Sequence, residues 1–111
     1  MVFIETSIFT GQIKDLISDE LYLKLQEYLA RQPSAGDLIR GSSGCRKLRW
    51  KTSSRGKRGG IRVIYYWMKN DDQILMLFAY AKASVSNLTV AQIKVLGLVV
   101  ADELKERQHG R

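Results

Sequence analysis

The chain has 111 residues, 45% hydrophobic and 26% charged, proportions of a globular domain that speak against wholesale disorder, a collagen-like repeat or a disulfide-stapled mini-protein. One compact core is expected, with residues 1–111 forming a single domain. The formal net charge is +7, the single cysteine, Cys45, excludes an intramolecular disulfide, and MVFIETSIFTGQIK lacks a secretory pattern, so the expected location is cytoplasmic. No apolar run, Val95 to Ala101 included, approaches the ~20 residues that span a bilayer, and no membrane association is expected.

Val2 to Glu5 is short, alternating and β-branched, and reads as a first strand. Ser18-Asp-Glu then opens a helix whose apolar face carries Leu21, Leu25, Tyr28 and Leu29 and which ends near Arg31, before Pro33. PSAGDLIRGSSG reads as a loop, with Leu38 and Ile39 expected to tuck onto the core. Arg46 to Lys51 is the next strand. Its period of two places Leu48 and Trp50 on one face and Lys47, Arg49 and Lys51 on the other. The loop TSSRGKRGG is too polar to pack internally.

IRVIYYWM and QILMLFAYA are the two strongest strands, joined through KNDD as a hairpin and expected at the sheet centre. Their near-continuous apolarity implies cover on both faces, one by helices and the other by long side chains or a partner. SNLTVAQ offers a capping box, Thr89 as N-cap and Gln92 three residues on, before a helix to about Arg107. Val90, Ile93, Leu96, Val100 and Leu104 form its packing stripe. Val95, Leu98 and Val99 widen that stripe, and two readings stay open: a helix sunk deep in the core, or a surface for a protein partner. The fold class is α+β, a small mostly antiparallel sheet flanked by helices in the order β-α-α-β-β-β-α.

The charge is concentrated. Leu38 to Asn70 holds ten Lys and Arg and no acidic residue, whereas the remaining 78 residues carry a net −3. A block of this kind repels itself unless it faces solvent or an anion, and nucleic acid is the commonest polyanion it could meet; the competing reading is a merely solubilising basic face. Metal ligation has little support, since the sole histidine, His109, is expected in a polar tail and Cys45 has no neighbouring ligand; no cofactor is implied. GSSGCRKL lacks the spacing and terminal Ser/Thr of a phosphate loop.

What remains is a dense set of Lys and Arg with Tyr65, Tyr66 and Tyr80 on adjacent strands, and such a set can cleave RNA without a metal. The 2′-hydroxyl attacks the neighbouring phosphorus, and the protein must take its proton, stabilise the phosphorane and protonate the departing 5′-oxygen. Arginine clamps the charge, a lysine among cations exchanges protons, and tyrosine stacks on a base or joins the proton transfer. The same residues also suit simple binding of backbone phosphates.

The runs GDLIRGSSGCRKLRW (Gly36 to Trp50), GKRGGIRVIYYW (Gly56 to Trp67) and FAYAK (Phe78 to Lys82), with NLT at Asn87 to Thr89, resemble the RelE/ParE toxin superfamily, nearest its HigB-like branch. The resemblance covers nearly the whole chain. It implies a toxin of a type II toxin–antitoxin pair that cuts mRNA in the ribosomal A site without a metal. It also implies a cognate antitoxin, often with a helix-turn-helix domain, through which alone the pair would meet operator DNA. Carried over residue by residue, it implies that Arg49 and Arg62 clamp the scissile phosphate, Lys57 or Lys82 assists proton transfer, and Tyr80 stacks or serves as a core aromatic beside Phe78 and Met76. Lys47 and Arg58 would position RNA, together with Lys51 and Arg55 of the same basic block. Ala83-Ser84 departs from the family, whose members often carry an acidic residue soon after this lysine. The alternatives are a ParE-like inhibitor of DNA gyrase, a branch that generally lacks the paired sheet cations, and a non-catalytic RNA- or ribosome-binding module.

Overall fold

In a computed structural model, residues 1–51, 60–82 and 87–109 are described, with side chains through residue 106. The elements are β1 (Val2–Glu5), α1 (Ser7–Leu16), α2 (Asp19–Arg31), β2 (Asp37–Leu38), β3 (Arg46–Trp50), β4 (Ile61–Met68), β5 (Gln73–Ala81) and α3 (Val90–His109). The described strands form one sheet in the order β1-β5-β4-β3-β2, with β1 parallel to β5 and every other pair antiparallel. The expected order thus gains one short strand, β2, and the helix expected to end near Arg107 runs two residues further, through His109.

Local signals set the element ends. Ser18 caps α2, its hydroxyl accepting from Leu21 N–H at 3.2 Å, and Asp19 and Glu20 suit the positive end of the helix dipole. Thr89 and Gln92 form the reciprocal capping box at α3, with bonds of 2.8 and 3.1 Å. Between β4 and β5, Lys69–Asp71 make a 3-10 turn closed by Asp72 in the left-handed conformation, and the Asp72 carboxylate pairs with the amino terminus at 3.2 Å.

Helices α1 and α2 cover one sheet face around Phe9, Leu25, Leu29, Val63, Tyr65, Ile74 and Met76, with Leu48 and half-buried Trp50 joining them as the alternation of β3 requires. Tyr65 is buried; its hydroxyl donates to Pro33 O at 2.8 Å and accepts from Gly36 N–H at 2.9 Å, tying the 33–36 segment to the central strand. The other face carries Ile64, Met68, Leu75, Leu77 and Tyr80 and is covered by α3 through Leu96 and Val100. The second cover expected from long side chains or a partner is therefore supplied by the chain's own last helix.

Three packing expectations change. Leu38 is 64% exposed on β2, because its two-residue strand is at the sheet edge; only Ile39 reaches the core. Helix α3 is not sunk in the core: Val95, Leu98 and Val99 face outward, and so do Val90 and Leu104 of the expected packing stripe. Met76 and Tyr80 lie on opposite faces. The β4–β5 register pairs Ile64 with Phe78 but Tyr65 with Met76, so Leu77 is a bulge that turns Leu77 and Phe78 toward the α3 side together. Helix α1 satisfies the bulged edge, with Thr6 Oγ1 donating to Leu77 O at 3.0 Å and Gln12 Oε1 accepting from Ala79 N–H at 2.8 Å.

Among the described residues no helix is long and apolar enough to cross a membrane. Cys45 is buried and free just before β3, and burial pushes its thiol up to about 11.

Candidate anion site on the helix α3 face

The bulge decides which side chains meet at the open end of the sheet. Beyond it, strand register sets Arg49 of β3 opposite Arg62 of β4, and Arg62 opposite Tyr80 of β5, all on the face that α3 covers only in part. Adjacent strands are about 4.8 Å apart, so the three form one transverse row roughly 10 Å long. The neighbouring row is Lys47, Ile64 and Phe78. At the outer end, Lys82 N–H donates to Gly60 O at 3.1 Å, which continues the ladder one step and brings Lys82 beside the start of β4.

Gly60 holds this end closed. Its φ is +83°, and a Cβ there would come within 2.1 Å of the Trp50 carbonyl oxygen, so only glycine allows β3 and β4 to approach so tightly.

Two arginines directly opposed in a sheet repel each other, and among the described residues neither forms an ion pair that would offset this. Arg62 Nε and the Tyr80 hydroxyl are buried and have no hydrogen-bond partner among the described residues. Tyr80 is 6% exposed and its ring meets Phe78 at 5.8 Å, so it is a packed aromatic whose hydroxyl is next to Arg62. Burial raises its phenol above the ordinary tyrosine range, and the Arg62 charge only partly opposes this, so the hydroxyl keeps its proton at neutral pH. The row therefore offers two guanidinium groups and one neutral O–H donor to an anion, with no carboxylate paired to the arginines among the described residues.

Of the residues expected at the site, Arg49, Arg62 and Tyr80 share this row; Lys47 is one row inward, and exposed Lys51 and half-buried Lys82 are one step outward. Arg55, Lys57 and Arg58, and the departure at Ala83-Ser84, lie outside the described residues. Arg46 belongs to the basic block but has a different job: its Nη1 donates to Gly36 O at 2.7 Å and Ser34 O at 3.1 Å, fastening the loop before β2. Phe78 shares the face of Tyr80 as alternation expects; Leu77 is the position alternation misplaces, because the bulge brings it onto that same face.

No protein-family model matches the chain. Among solved structures, its fold is similar to a chain of the E. coli RelBE toxin–antitoxin complex, with a TM-score of 0.54 at 17% identity over 70% of this chain and 92% of that one. It is similar also to a mutant of the E. coli toxin RelE in the free state, with a TM-score of 0.55 at 14% identity over 77% and 86% of the two chains. The chain thus has the α+β fold of RelE, the fold that its sequence resemblance implies.

Proposed function

We propose that this chain is the toxin of a type II toxin–antitoxin pair, of the RelE/HigB kind, and a metal-independent endoribonuclease that cuts mRNA on the ribosome. The observation that carries the reading is the row Arg49–Arg62–Tyr80: two arginines with no ion pair among the described residues and a protonated phenol, set in register on one sheet face. The likeness of the fold to RelE supports the toxin assignment, and the neighbour solved as a toxin–antitoxin complex supports a cognate antitoxin.

In this mechanism Arg49 and Arg62 grip the non-bridging oxygens of the scissile phosphate and stabilise the added negative charge of the phosphorane. The Tyr80 hydroxyl donates to the same group; its burial against Phe78 suits this better than stacking on a base. Lys82, or Lys57 of the basic block, takes the 2′-hydroxyl proton and returns one to the 5′-oxygen. Lys47, Lys51, Arg55 and Arg58 hold the flanking phosphates in the A site. Operator DNA is met only through a helix-turn-helix antitoxin.

Induced expression in a bacterial host tests the assignment. Wild type should arrest growth, while Arg62→Ala and Lys82→Ala should relieve the arrest and retain the wild-type circular dichroism spectrum. Undiminished toxicity in both variants would sink the site. Arrest without mRNA cleavage would favour the gyrase-directed reading, and no arrest at all would leave a basic binding module.

A further inference from the structure

Toward the sheet, α3 buries Leu96 and Val100 and borders an apolar groove against β5 and α1, lined by Leu77, Phe78 and Val99 among others. Its far side carries a different apolar feature. Leu98 is 69% exposed, near the middle of the helix, and is not part of that groove. Lys94 is one turn before it and Asp102 one turn after it, both exposed, so a cation and an anion are each about 6 Å from Leu98 along the axis and on its side of the helix. Neither has an ion pair among the described residues. Exposed Val95 and exposed Ala101 are likewise spaced evenly before and after Leu98.

This spacing makes the surface self-complementary in one orientation. When a second α3 lies antiparallel across Leu98, the two leucines meet on the two-fold axis, and each Lys94 faces Asp102 of the other copy. Each Val95 then faces Ala101 of the other copy, a large side chain against a small one that lets the helices approach. Parallel pairing would instead set lysine on lysine and aspartate on aspartate, which is repulsive at both ends. The occupant that fits the outer face of α3 is therefore another copy of the same helix, running the opposite way.

We propose that two copies of this chain associate through antiparallel α3 helices centred on Leu98. One helix pair buries less than the ~1,200 Å² of a standard stable interface, so the dimer is weak and reversible. The contact leaves out the arginine row, and it stands whatever anion that row binds.

Sedimentation equilibrium of the full chain between about 10 and 500 μM tests this, and wild type should pass from monomer to dimer within that range. Leu98→Asp puts two carboxylates on the axis and should stay monomeric throughout. Lys94→Glu and Asp102→Lys should each weaken association about tenfold, because both ion pairs of the dimer become like-charge pairs. An equimolar mixture of these two variants should regain the wild-type affinity as a heterodimer, since opposite charges then face each other at both contacts. A local disturbance of the helix by either substitution would not be repaired by mixing. All three positions are exposed, so each variant should keep the wild-type circular dichroism spectrum. A wild-type chain that stays monomeric throughout, a dimer that Leu98→Asp leaves intact, or a mixture of the charge variants that associates no better than either alone would overturn the proposal.

Discussion

Against α1 and α2 the sheet presents Val63, Tyr65, Ile74 and Met76 fully buried, packed on Phe9, Leu25 and Leu29 of the helices. Against α3 the same strands present Ile64, Leu75 and Leu77 at one end and then, past the bulge, Arg62 and Tyr80 opposite Arg49. The first face is closed: Tyr65 makes two hydrogen bonds and the bulged edge is satisfied by α1, although the indole N–H groups of half-buried Trp50 and Trp67, packed against this face, have no partner among the described residues. The second face leaves Arg62 Nε, the Tyr80 hydroxyl and an apolar groove without partners among the described residues. The two faces thus differ in what they leave open: two helices cover the first, and the second carries two opposed arginines beside an apolar groove.

The comparison is broken most severely from the closed face. Phe9→Ala removes a fully buried ring from the α1 side and should cost about 3–5 kcal/mol by urea denaturation, lowering function only through unfolding. Gly60→Ala should follow at roughly 1–3 kcal/mol, since the added Cβ strains a left-handed φ and strikes the Trp50 carbonyl. Its loss of activity should exceed its loss of stability, because the shift falls between Arg62 and Lys82. Thr89→Ala should cost about 1 kcal/mol by removing one half of the α3 capping box, measured by the same denaturation.

On the open face the sign should differ. Arg49→Ala should leave stability unchanged or raise it by up to about 1 kcal/mol, because a like-charge neighbour is removed, while RNA affinity and its salt dependence both fall. Ordinary destabilisation by Arg49→Ala would mean that the arginine row is structural. The smallest effect concerns pH. The folded-state thiol of Cys45 is raised to about 11 from an ordinary 9.0, so the unfolded chain gives up its proton first. Its contribution is intact below about pH 9 and should be lost progressively as pH climbs toward 11, a decline that Cys45→Ser should reduce in denaturation curves taken across that range.

Much of this was legible in the residues. Strands β1, β4 and β5 begin and end where alternation and turn residues place them, and Ser18 and Thr89 cap their helices as their spacing requires. The separation of Leu48 and Trp50 from Lys47 and Arg49 is a period-two pattern, which any strand displays. The bulge at Leu77 was not legible, because it is stabilised from afar by Thr6 and Gln12 on α1, and it alone decides that Tyr80 parts from Met76. Nor was the pairing of Arg49 with Arg62: composition puts both in the basic block, but the register between β3 and β4 sets them face to face. The α3 side chains were ambiguous for a related reason. An apolar helix reads the same whether the sheet covers all of it or only Leu96 and Val100.

The measurement that tests the central claim most directly is the mapping of mRNA 5′ ends after induced expression of wild type and Arg62→Ala, run in parallel with total translation. The account predicts cleavages confined to translated frames, in register with codons, and absent in Arg62→Ala while that protein accumulates folded. Codon-phased cleavage that persists undiminished in Arg62→Ala, or growth arrest with intact mRNA in wild type, would contradict it.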